Sequence, residues 1–180
     1  MRLITNIIII ISFLLSGYYL YLHIIPLDIN KLLLGILSII LLIVPIIIGK
    51  LNNKKIEKYI KLIYYFFLLI AFILGGLFGL YYSTSFFDLL VHGLFGFLLT
   101  LILSTKFDLN NKYNMLLLIS VVITIGFLWE SLEFFSDIFL KTDHQEKISG
   151  ATDTMTDLLI SIVGIFIYII YFKVMNKIKK

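Results

Sequence analysis

Six apolar stretches, at about residues 3–25, 32–49, 62–82, 86–105, 115–138 and 154–172, take up most of the 180-residue chain. Each is close to the ~20 residues a helix needs to cross ~30 Å of hydrocarbon. Short polar links join them, and the chain contains no internal repeat. The expected fold is all-α: a polytopic membrane protein, one domain over 1–180, built as a bundle of about six transmembrane helices. Composition agrees. Hydrophobic residues make up 61% and charged residues 14%, whereas soluble domains run near 45–50% and about 25%. Mean hydropathy is +1.06.

The first stretch, "MRLITNIIIIISFLLSGYYLYL", has a basic start like a signal peptide. Its apolar run is longer than a signal peptide's and ends in Tyr18, Tyr19 and Tyr21 with no small-residue cleavage site. It reads as an uncleaved first span. Cysteine is absent, which excludes disulfides, thiolate metal sites and Cys nucleophiles. The net charge of +4 sets topology in a membrane chain and gives no reason to expect nucleic acid as a partner.

Twelve of the fifteen basic residues fall in the N-terminus, the 50–61 and 106–114 links and the C-terminal tail. The opposite side holds Lys31, Lys141 and Lys147. The positive-inside rule then places both termini in the cytoplasm of a cell (plasma or inner) membrane. Tyr21, Tyr59, Tyr81, Tyr82, Tyr113 and Tyr171 sit near span ends, where an interfacial aromatic belt would put them. Acids show the reverse bias. Nine of the eleven, and all three histidines (His23, His92, His144), lie on or near the outer side. Acids have little influence on insertion, so topology does not account for this.

Three expected helices carry the polar groups. "FFDLLVHG" places Asp88 and His92 at i and i+4, and "DTMTD" does the same for Asp153 and Asp157. "WESLEFFSD" contributes Glu130, Glu133 and Asp137, which at about 100° per residue share an arc of about 60°. All three sets fall in the outer part of the bilayer. A lone charge at the bilayer centre costs about 2.5–3.5 kcal/mol on insertion scales. The carboxylates are therefore expected to face inward, toward a cation, protons or water. Asp88, Asp137 and Asp153 also fit ordinary interface residues, His92 fits a packing residue, and Asp143, His144, Gln145 and Glu146 fit a solvated turn. Gly75, Gly79, Gly93, Gly96, Gly126 and Gly164 offer close helix packing. Pro26 reads as a turn and Pro45 as a kink at a helix end. There is no P-loop, G-x-S-x-G, H-E-x-x-H or dinucleotide fingerprint.

The order "FDLLVHGLFGF", "GFLWESLEFFSD", "ATDTMTDLLISIVG", over about residues 86–165, resembles the YjdF-type family of bacterial inner-membrane proteins of unknown function. More distantly it is similar to VanZ-like proteins, whose founding members are linked to teicoplanin tolerance. The resemblance implies importance for Asp88, His92, Trp129, Glu130, Glu133, Asp137, Asp153, Asp157 and Gly164, and supplies no reaction.

Three functions follow from this reading. The first is an outward-facing intramembrane site for a divalent cation (Mg, Mn, Ca or Zn) acting on a lipid-linked or cell-envelope substrate. Asp88, Glu133, Asp137, Asp153 and Asp157 are its candidate ligands, Glu133 and Asp157 foremost. His92 (ligand or general base) and Glu130 are its catalytic candidates. The second is a proton- or ion-coupled transporter. The third is a non-catalytic membrane partner or stability factor. The orientation itself predicts that an impermeant thiol reagent on whole cells labels Thr142→Cys and not Lys54→Cys. The opposite pattern would place the carboxylates on the cytoplasmic side.

Overall fold

A computed structural model describes residues 2–51, 58–84, 86–141 and 150–178. Helices account for nearly all of these, and no strand occurs among them. Five helices among the described residues are long and apolar enough to cross a membrane, and a shorter apolar stretch runs over Lys31–Ile47. Large side chains such as Ile10, Leu14, Phe127, Leu132 and Phe139 are exposed on their outer faces, as lipid-facing surfaces require. The chain forms two compact units, Met1–Phe87 and Asp88–Lys180.

The first unit packs α1 (Arg2–Ile24), α2 (Ile29–Leu51) and α3 (Lys58–Leu77), followed by the short α4 (Leu80–Ser83). Pro26 lies in the α1–α2 turn, as expected. Asp28 then starts α2, its carboxylate accepting from the Lys31 backbone N–H at 3.3 Å and pairing with Lys31 Nζ at 3.1 Å. Pro45 differs from expectation, because it lies inside α2 rather than at its end. A proline there removes the hydrogen bond to the carbonyl four residues back, which is that of Leu41. The Tyr64 hydroxyl donates to the Leu41 carbonyl at 2.8 Å, and the Tyr65 hydroxyl donates to that of Leu42 at 3.1 Å. Side chains of α3 thus supply what the proline withholds, and α2 continues. Beyond these tyrosines, Leu68–Leu77 widens into a π-helix, closed by an i→i+5 bond from Phe78 N–H to the Ile73 carbonyl at 3.0 Å. Gly79, at φ 74°, ends it, so the expected span 62–82 stops short.

The second unit holds α5 (Phe87–Ser104), α6 (Lys112–Leu140) and α7 (Gly150–Ile178). Asn111 caps α6, its side-chain oxygen accepting from the N–H groups of Tyr113 at 2.9 Å and Asn114 at 3.3 Å. Both α6 and α7 overrun their expected bounds. At 29 residues each they reach about 43 Å, more than the ~30 Å of hydrocarbon. Their polar ends have no reason to leave the helix once past the apolar layer.

One seam organises this unit. A Cβ added at Gly164 on α7 would collide with the Gly93 carbonyl oxygen of α5, and one added at Gly96 with the Ser161 carbonyl oxygen of α7. The two backbones touch because these positions carry no side chain. Below the contact, Tyr168 and Ser104 share a hydroxyl hydrogen bond of 2.6 Å, and Tyr168 stacks edge-on against Phe97. Leu109, Leu118, Val122, Ile165 and Ile169 complete the core around them. Gly164→Val is expected to lower the melting temperature in detergent far more than Tyr64→Phe. The valine must force the two backbones apart. The phenylalanine loses one intramembrane hydrogen bond, worth about 0.6–2 kcal/mol. Equal melting shifts would contradict the seam.

Candidate functional site

The glycine seam also sets the position of the polar residues. Asp88 and His92 lie in the first and second turns of α5, on the face that continues to Gly96. Asp153, Asp157, Ser161, Gly164 and Tyr168 follow one face of α7. Ser161 replaces the usual bond to its own helix with one across the seam, its hydroxyl donating to the His92 carbonyl at 3.2 Å. The turn of α5 that carries His92 is therefore fixed directly to α7.

His92 is the hub. Its Nε2 lies 3.4 Å from Asp88 Oδ1 and 3.9 Å from Asp157 Oδ2, while Nδ1, on the other edge of the ring, lies 3.7 Å from Glu130 Oε1 on α6. Asp157 and Glu130 are almost wholly buried, at 2% and 3% exposure, whereas about a third of the Asp88 side chain is exposed. The cluster is thus closed at its floor and open at Asp88. Thr154 on α7 hydrogen-bonds the Glu130 carboxylate. Even so, Glu130 Oε1 and Asp157 Oδ1 are buried without a hydrogen-bond partner. Orphaned carboxylate oxygens in an apolar interior are costly unless a proton, cation or water completes them.

Asp88, His92 and Asp157 each offer one donor atom, and these atoms lie within 4.8 Å of one another. Bonds of about 2.0–2.2 Å to one cation hold neighbouring donors roughly 3.0–3.5 Å apart. The Nε2–Asp88 separation is already in that range, and small side-chain movements would bring Asp157 into it. Two carboxylates and an imidazole also make a chemically sound donor set.

The remaining expected residues are placed differently. Glu133 is half-buried and accepts a 2.7 Å hydrogen bond from the indole N–H of the exposed Trp129. It stands close enough to Glu130, His92 and Asp88 for their charges to act on it. Asp153, in the first turn of α7, is near enough to act on Glu130 and Asp157. Asp137 is half-buried near the end of α6. Asp143, His144, Gln145 and Glu146 lie outside the described residues. Sequence reasoning did not single out Ser161 or Thr154. The signal for Ser161 was present, since it follows Asp157 by one turn and precedes Gly164 by three residues on the same face. Thr154 carried no such signal.

No curated protein and no solved structure matches the chain. A family model described as "Predicted membrane protein (DUF2238)" matches residues 4–177, which include every residue of the cluster. The chain belongs to that family of membrane proteins.

Proposed function

We propose that this protein binds a divalent cation within the membrane through Asp88, His92 and Asp157, and uses it on a lipid-linked or cell-envelope substrate. The observation that carries the reading is the convergence of three donor atoms from two helices beside two buried, orphaned carboxylate oxygens. No Lys or Arg occurs in 87–104, 115–138 or 154–172 to neutralise them. The nitrogen donor favours Mn²⁺ or Zn²⁺ over Ca²⁺. A cation there supplies Lewis acidity toward a phosphoryl or carbonyl oxygen. Asp157 forms the buried floor. Asp88 stands at the open side, where a headgroup would approach, and Glu130 lies within reach to hold a proton. The charge bias of the links supports an outward-facing site with both termini cytoplasmic. The resemblance to YjdF-type and VanZ-like proteins is in keeping with an envelope role.

Proton-coupled transport is the second reading, because protons could satisfy the same orphaned oxygens. Metal analysis and melting separate the two. Purified wild type is expected to carry metal, and chelator is expected to lower its melting temperature. Asp157→Asn is expected to lose the metal and melt early, because Asp88 and Glu130 are then left on either side of the His92 ring without the cation's charge. If protons neutralise the cluster, wild type is metal-free and indifferent to chelator. Asp157→Asn is then at least as stable, since it removes a titratable group from an apolar site. That outcome would retire the cation reading.

A further inference from the structure

We infer that Glu130 is a positioning residue for His92 rather than a cation ligand, an assignment that rests on the cation reading above. The two edges of the imidazole face different partners. Nε2 faces Asp88 and Asp157, the two carboxylates that share its donor cluster, and Nδ1 faces Glu130. An imidazole that binds a cation through one nitrogen must carry its proton on the other, and metal-bound histidines donate that N–H to a carboxylate or carbonyl. Here the group that receives it is in place on a third helix.

Three further observations agree. The Glu130 oxygen nearest Nδ1 is Oε1, the same oxygen that is buried without a hydrogen-bond partner. A closure of about 0.7 Å would bring the 3.7 Å separation to the ~3.0 Å of an N–H···O bond. The rest of the Glu130 carboxylate is held by Thr154, so it is braced from α7 while it faces α5. Glu130 is also outside the group of donors within 4.8 Å of one another. Glu130 thus selects the tautomer with its proton on Nδ1, turns the ring so that the Nε2 lone pair points at Asp88 and Asp157, and raises the basicity of that nitrogen. Closed to that distance, the hydrogen bond would link all three helices of the unit through one ring.

The test uses the full chain in detergent and Co²⁺ alone as the probe, with affinity read by titration and ligand field by the visible spectrum. Wild type, Glu130→Ala, Glu130→Gln, His92→Ala and the double variant Glu130→Ala/His92→Ala are compared, each checked for a single melting transition. Glu130→Ala is expected to weaken Co²⁺ binding about 10–100-fold. Glu130→Gln, which keeps an acceptor oxygen, is expected to lose less and remains informative if the alanine variant does not fold. The decisive comparison is in the His92→Ala background. A residue that acts through the imidazole has nothing left to act on, so the double variant is expected to bind like His92→Ala alone. A further loss in the double variant would make Glu130 a direct ligand and overturn the inference. Wild-type affinity in both Glu130 variants would overturn it as well. A wild type that takes up no Co²⁺ would instead bring down the cation reading itself, a failure visible before any variant is made.

Discussion

The polar cluster depends on the contact between the backbones of α5 and α7. Gly96 meets the Ser161 carbonyl and Gly164 the Gly93 carbonyl with no room for a Cβ on either glycine, and at that separation the Ser161 hydroxyl reaches the His92 carbonyl. With the helices held there, Asp157 falls beside the His92 ring. A methyl group at either Gly96 or Gly164 would push α7 away and turn an ion-pair distance into an unpaired buried carboxylate. Packing and electrostatics are therefore one problem in this unit. The close approach costs little because the small residues remove the side chains, and it gives His92 carboxylates on all three helices.

Much of this architecture was legible in the sequence, and the physical reason is simple. Hydrocarbon admits few backbone solutions, so runs such as 115–138 announce themselves. The i, i+4 spacing of Asp88 with His92 is likewise a face in any helix. Glu130 and Glu133 were harder to separate. Three residues apart, they differ by about 60° in direction, within the width of one helix face, and only the placement of α6 decides which one meets His92. In the structure Glu130 meets the ring and Glu133 takes the Trp129 indole. Pro45 misled for a related reason. Its local chemistry does break a helical bond, but the Tyr64 hydroxyl that repairs the loss donates to a carbonyl twenty-three residues away. The π-helical turn over Leu68–Leu77 had no signature in the apolar pattern, because a run that is apolar throughout fits either helical period.

The charge around His92 limits what can complete the site. Asp88, Asp157 and Glu130 bring three carboxylates to one imidazole. If the ring alone took up a proton, two negative charges would still be uncompensated, and both would have to persist where the dielectric is low. A divalent cation at the Nε2 side leaves a single negative charge. With the proposed cation bound, that charge would fall on Glu130, which Thr154 hydrogen-bonds and whose Oε1 lies 3.7 Å from His92 Nδ1. Two added protons reach the same total, one of them on a His92 that then sits as an imidazolium between Asp88 and Asp157 at 3.4 and 3.9 Å. The two completions differ in what lies at Nε2, a shared cation or a proton, and in both it is Nδ1 that faces Glu130.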